Sequence, residues 1–252
     1  MISTASAIQT PQLSQRLALR QRPDFAAVGS QRWNQLLFLH WQVEPSAVQA
    51  TLPQGLHVDT FEGAAYVGIV PFFMERVRPA WFLSLPWISW FLEMNVRTYV
   101  HNDAGEPGVW FYSLDCNQPI AVIVARHFFH LPYEHARMTA KRVDGRIHYQ
   151  CRRRAAVDSF SRYSWSPGSD AAPAAPGTLD FFLIERYLLF SINRAGQFFR
   201  ARVHHEPYQL HSPILHEFSS EPARWVGFDL SGAPLSVRGA LGVDVSIHPL
   251  KV

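Results

Sequence analysis

The stretch Trp90-Phe91-Leu92-Glu93-Met94-Asn95-Val96-Arg97-Thr98-Tyr99-Val100-His101 alternates along its length, with Glu93, Asn95, Arg97 and Tyr99 on one side and Met94, Val96, Thr98 and Val100 on the other. A period of two marks a β-strand, because successive side chains point to opposite faces. The chain then passes through the turn-forming Asn102-Asp103-Ala104-Gly105 and resumes as Gly108 to Cys116, which predicts an antiparallel hairpin. One face of the first strand is a polar ladder. It either meets water, as one side of an antiparallel sheet commonly does, or lines a pocket where a carboxylate and a guanidinium two residues apart bind a substrate acid.

The same grammar extends outward. Trp33 to Val43 reads as a strand and Pro45 to Leu52 as a short helix with proline in its first turn. Leu56 to Phe61 and Ala64 to Phe73 read as a second hairpin, turning at Glu62-Gly63. Pro119 to Phe129 is a helix opening at a proline, which delivers the chain into the loop Leu131-Pro132-Tyr133. Ala136 to Val143 and Arg146 to Arg154 flank Asp144-Gly145, a pair that supplies the positive φ angles of a type I′ turn. After a Pro/Ala/Gly/Ser-rich loop at Ser166 to Thr178 come a helical turn at Leu179 to Glu185 and strands at Arg186 to Asn193, Gln197 to Tyr208 and Gly242 to His248. Without repeats or regular βαβ alternation, this predicts a mainly β (α+β) fold. Its antiparallel sheet closes, or nearly closes, into a barrel or cone around a pocket, with a few short helices outside. Residues 1–28 read as a loosely ordered leader and 29–252 as one domain.

Composition narrows the function. With 48% hydrophobic and 17% charged residues in 252, the chain has a sizeable core and is not disordered. Only Lys141 and Lys251 among the 23 basic residues are lysines, and the net charge of +3 is scattered. The run Arg152-Arg153-Arg154 would alternate faces on a strand, so no nucleic-acid partner is expected. Cys116 and Cys151 belong to no CxxC pair and read as small buried hydrophobes in a reducing, cytoplasmic compartment. The apolar segment from Pro79 to Leu92 is too short to span a bilayer and is interrupted by Pro86. It reads as a lip over a pocket, with peripheral membrane contact through Trp81, Trp87 and Trp90 as the other reading.

Further candidates lie on the later strands. Alternation sets Arg200, Arg202 and His204 against Phe199, Ala201, Val203 and His205, so His205 faces the apolar side. The adjacent histidines diverge and do not make a metal site. Glu185, Arg186 and Tyr187 interrupt an apolar run and form either a buried ion pair or a pocket wall. His40 could reach the same rim. No nucleotide loop or nucleophile elbow appears, and neither metal nor cofactor is expected.

The segment Ala125-Arg126-His127-Phe128-Phe129-His130-Leu131-Pro132-Tyr133-Glu134-His135-Ala136 resembles the active-site loop of acetoacetate decarboxylases, roughly Gly-Arg-Glu-x-x-Gly-x-Pro-Lys-Lys-x-Ala. Arg126, Pro132 and Ala136 match. Tyr133 stands where that family carries its Schiff-base lysine, and Glu134 where it carries the cation that lowers that lysine's pKa. Together with Leu37 to Trp41, Asp59 to Gly63, Glu93 to Val100, Glu185 to Tyr187 and His205 to Tyr208, the chain resembles the YqjF-like family of uncharacterised bacterial proteins from about Trp33 to about Leu210. The resemblance implies an acetoacetate-decarboxylase-like fold. It also implies that Glu93, 40 residues before Tyr133, is the family's pocket glutamate, and that Arg126 belongs to the pocket.

The expectation is therefore a pocket for a small, partly apolar, acidic ligand without Schiff-base chemistry. Arg97, Arg126, Glu134, Tyr99, Glu185, Tyr187 and His205 would line it. The alternative is a cofactor-free lyase, isomerase or hydrolase using Glu93 as base and Tyr133 as proton donor. A third reading is a membrane-peripheral or interaction protein acting through the Trp81 to Trp90 lip. Homo-oligomerisation stays open.

Overall fold

Alternating apolar residues and Gly- or Asn-centred turns build thirteen strands among the described residues, and the way they pair decides which faces are buried. The computed structural model describes residues 8–154 and 160–252. Residues 1–7, where the expected leader begins, and 155–159 lie outside the described residues. The first half of the chain comprises α1 (Leu13–Ala18), β1 (Gly29–Val43), α2 (Pro45–Gln49), β2 (Leu56–Val58), β3 (Ala65–Pro79), β4 (Phe91–Asn102), β5 (Pro107–Cys116) and α3 (Pro119–Phe128). Then follow β6 (Tyr133–Val143), β7 (Arg146–Arg153), β8 (Ser161–Ser166), α4 (Leu179–Ile184), β9 (Leu188–Ile192), β10 (Phe198–His204), β11 (Leu210–His211), β12 (Ile214–Glu217), α5 (Glu221–Arg224) and β13 (Ser236–Ile247).

From β1 the pairing passes to β3, β4, β5, β9, β10 and β13, and β13 pairs again with β1. The strands thus make a near-ring with few short helices, as expected. At β5 the sheet forks. Val109 and Trp110 pair with β9 inside the ring, whereas Leu114 to Cys116 pair with β6, which leads into a side sheet of β6, β7, β8 and β12.

Beyond β8, β11 and β12, which the sequence reading did not include, and β13, which begins earlier than read, two features of the strand pairing differ from that reading. The two junctions at β5 are parallel, because the chain leaves β5, crosses through α3 and returns in the same direction as β6. The expected β2–β3 hairpin does not form. Both segments run antiparallel to β4 along one edge, Val58 opposite Val100 and Val67 opposite Thr98, so the Glu62-Gly63 turn is an excursion within one broken edge. The positive φ angles that suggested a hairpin are present, 51° at Glu62 and 81° at Gly63, but they close only the Phe61–Ala64 bridge.

Local signals held elsewhere. Pro119 occupies the first turn of α3, and the Gln118 side chain accepts from the Ile120 N–H, capping it. Asp144 and Gly145 have φ of 49° and 76°, as the β6–β7 turn requires. Within the expected leader, α1 is helical, and its Arg16 bonds Asp59 at 2.7 Å through both guanidinium amines.

Of three apolar clusters among the described residues, two follow from the fork. One lines the ring interior with Phe38, Tyr66, Phe72, Tyr99, Tyr133 and Phe182 among others. The other, including Met94, Val96, Tyr149, Tyr163 and Trp165, lies between the ring and the side sheet. β4 faces both, so its polar ladder does not face water: Glu93, Asn95 and Tyr99 are 3%, 5% and 0% exposed. The irregularity between β4 and β5 skips Tyr112 on β5, which leaves the alternation of β4 intact.

Candidate binding site

At one end of the ladder, Tyr133 begins β6 at the fork and donates its hydroxyl to Glu93 Oε2 at 2.7 Å. Both groups are buried. Burial raises Glu93 to about 7, partly offset by the Tyr133 hydrogen bond, while burial and the Glu93 charge push Tyr133 far above its usual value. The carboxyl is therefore near half-protonation at neutral pH and the phenol is a proton donor. Cys116, opposite Glu93 on β5, is fully buried, and burial drives its thiol upward as well.

Arg126 and Glu134 stand outside this dyad. Arg126 Nε donates to the Tyr133 carbonyl at 2.5 Å and Nη2 pairs with Glu134 at 3.0 Å, both side chains being half-exposed. The pair braces the backbone that carries Tyr133. It does not reach Glu93.

Farther along the ladder, the Tyr99 hydroxyl and His40 Nε2 lie 2.7 Å apart, and Arg97 Nε donates to Tyr99 Oη at 3.3 Å. Arg97 Nη2 donates to the Leu183 carbonyl at 3.2 Å, and its guanidinium stands over Phe38 at 5.6 Å. Burial, then the Arg97 charge, holds His40 well below its ordinary pKa, so it is neutral. Gly68 makes room for the contact: a Cβ there would lie 2.9 Å from His40 Cδ2. Among the described residues Arg97 makes no ion pair, and Asn95 Oδ1 and His40 Nδ1 are buried without partners.

A third group is Glu185, Tyr187 and His205. Tyr187 donates to Glu185 Oε2, whose other oxygen accepts from Tyr208 N at 3.1 Å. His205 stacks on Tyr187 at 4.7 Å and donates from Nδ1 to the Glu206 carbonyl at 2.8 Å. A carbonyl only accepts, so the tautomer is fixed and Nε2, which has no partner, carries a lone pair. Burial lowers this histidine to about 4. Tyr208 meets Phe38 at 5.5 Å, which links the group to Arg97.

Glu185 does not pair with Arg186. That guanidinium instead bonds Asp59 at 2.7 Å, where Arg16 also arrives, and lies 4.3 Å over the Phe182 ring. Asp59 carried no chemical signal in the sequence, because its partners lie 43 and 127 residues away.

The clefts that open on the surface include these three. Two, of about 420 and 500 Å³, share Arg22, His204, His205 and Glu206, and the first is bordered by Arg78 and by Ser84 of the lip. The third, about 440 Å³, lies on the side sheet around His135 and Arg137. Glu93, Tyr133 and Arg97 line none of the three. No group of three or more potential metal ligands occurs among the described residues.

The near-ring of strands with a forked side sheet is an acetoacetate-decarboxylase-like fold. Over 92% of this chain and 91% of the other, it superposes on acetoacetate decarboxylase from Legionella pneumophila with a TM-score of 0.59 at 14% identity. The enduracididine biosynthesis enzyme MppR in complex with pyruvate gives a TM-score of 0.59 at 14% identity over 92% of each chain. Residues 30–243 match the DUF2071 family, described as an uncharacterized conserved protein, and the chain belongs to that family. It is 35% identical to the uncharacterized protein YqjF of Bacillus subtilis over 188 residues, 75% of this chain and 77% of that one.

Proposed function

We propose that the ring interior binds a small carboxylic acid, with its carboxylate at Arg97 and its apolar part against Phe38 and Phe182, and without a Schiff base. Arg97 carries this reading. It is a half-buried guanidinium that makes no ion pair among the described residues and donates only to two neutral oxygens. A cation so placed favours an anion, since a charge-assisted pair is stronger than its present bonds. Asn95 Oδ1, unpartnered between Glu93 and Arg97, is suited to accept a hydrogen bond from a ligand hydroxyl. The exclusion of Schiff-base chemistry rests on the two lysines: Lys141 is exposed on β6, and Lys251 lies exposed over Phe25. The complex of the similarly folded MppR with pyruvate supports the reading of a small acid as ligand.

Thermal unfolding against a panel of short keto and hydroxy acids tests the proposal. A true ligand at a hundred times its Kd stabilises by about 2.7 kcal/mol. Arg97→Gln should abolish that gain while leaving the unliganded transition nearly unchanged. Equal stabilisation of the variant, or no response of the wild type to any acid, would defeat the proposal.

A second reading is favoured by the 2.7 Å bond between Tyr133 and Glu93 and by a carboxyl poised at about 7. Such a pair can remove and return a proton at neutral pH, Glu93 as base and Tyr133 as donor. Turnover of a bound acid that Glu93→Gln abolishes while binding persists would establish an enzyme. Borohydride should trap no adduct in either case.

A further inference from the structure

An exposed apolar surface lies away from the ladder. Within the loop between β3 and β4, Trp81 is 81% exposed, Leu83 76% and Trp87 89%. The loop's polar groups fold inward instead: Leu85 N donates to Ser89 Oγ at 2.9 Å, Ser89 N to the Leu85 carbonyl at 3.0 Å, and Ser89 itself is buried. Trp87 holds a φ of 69°, a region aromatic residues rarely adopt. Gln118, the cap of α3, donates to the Trp87 carbonyl at 2.8 Å, which joins the loop to that helix. The outer face of α3 continues the surface with Ile123 60% and Phe128 70% exposed.

Charge decides what this face fits. Residues 79–92 carry no charged side chain, and α3 carries only Arg126 and His127. At the edge of the loop, Arg22, Arg76 and Arg78 line one cleft together with Ser84. Two acids line the same cleft, Glu206 and Asp244, and Asp244 is already shared by Arg32 and Arg76, so the edge keeps a cationic balance. Two copies of the chain meeting symmetrically here would bring the cationic edge against itself. An anionic bilayer complements it, since tryptophans settle at the headgroup level and arginines meet lipid phosphates and carboxylates.

We infer that the 79–90 loop and the outer face of α3 form a docking surface for an anionic membrane, with Trp81, Leu83, Trp87 and Phe128 entering the interface and Arg78 meeting headgroups. This is a lying contact and not a span; no helix among the described residues is long and apolar enough to cross a membrane.

Co-sedimentation of the full chain with phosphatidylcholine vesicles, with and without about one-third phosphatidylserine, tests this. The wild type should partition to the anionic vesicles with a blue shift of tryptophan emission, and salt should weaken the binding. Trp81→Ser/Trp87→Ser should reduce partitioning at least about tenfold. Arg78→Gln should reduce it about fivefold on anionic vesicles only, the equivalent of about 1 kcal/mol per basic residue. Unchanged thermal transitions would show that the variants fold. Absence of wild-type binding at low salt, or equal binding by the double-tryptophan variant, overturns the inference. So does a concentration-dependent dimer that the tryptophan variants dissociate while vesicles bind neither form.

Discussion

Asp59 and Glu93 are carboxylates sealed at the same ring interior, 2% and 3% exposed, yet they hold their protons in opposite ways. Burial pushes both toward the neutral form. At Asp59, the charge of Arg186 and the hydrogen bonds and charge of Arg16 outweigh it, and the pKa falls below the usual carboxylate value. At Glu93 the side-chain partner is a neutral phenol, so burial prevails and the pKa rises to about 7. Burial alone therefore does not set the chemistry of a buried acid. Its partner does, and the difference separates a structural pin from a group able to exchange a proton.

Removing the pin should have the largest effect. Asp59→Asn leaves Arg16 and Arg186 unpaired in the core, 12% and 3% exposed, and chemical denaturation should show a loss of about 3–5 kcal/mol. A loss below about 1 kcal/mol would mean that Asp59 is no more firmly held than a surface acid.

Next comes Glu93→Gln, whose effect depends on pH. The folded pKa of Glu93 lies above its ordinary 4.5, so its penalty is absent below about pH 4.5, grows as the pH rises to about 7, and is complete above that. The variant should gain roughly 3 kcal/mol on the wild type between pH 4.5 and pH 8, read from denaturation at each pH. Asp59 works in the reverse sense: its stabilisation is present at neutral pH and disappears as the pH falls through its lowered folded value. A pH-independent difference between wild type and Glu93→Gln would remove the contrast between the two acids.

The smallest effect belongs to Tyr133→Phe. Its hydrogen bond favours the Glu93 carboxylate, so its loss should raise the Glu93 pKa further and cost about 1 kcal/mol near neutral pH. Titration of the Glu93 carboxyl by NMR in the two proteins would show the direction.

Much of this arrangement was legible in the chain. The alternation of Glu93, Asn95, Arg97 and Tyr99 identified a strand with one polar face, and Asp144-Gly145 identified a hairpin, because both signals are local. The choice between water and interior for that face was not local. It depends on α4 and α1 covering the ring, with Phe182 and Arg16 arriving from far along the chain. Glu185, Arg186 and Tyr187 read as either a buried ion pair or a pocket wall, but neighbours at the end of α4 diverge, and Glu185 and Arg186 each find a partner other than one another. Arg126 matched the decarboxylase loop motif and Glu134 stands at one of its replaced lysine positions, yet on the outside of the β6 start they bond each other and a carbonyl. Glu62-Gly63 gave the correct turn angles, but turn angles do not say which edge the flanking strands will take.

The sequence by itself determined that β4 is a strand, which of its residues share the polar face, and the absence of lysine from the decarboxylase position, because side-chain period and residue type are properties of the chain. Only the tertiary structure decided that Asp59 is clamped and Glu93 left with a phenol. Partnership across 40 to 127 residues is set by strand pairing and the fork at β5, and no local pattern encodes it.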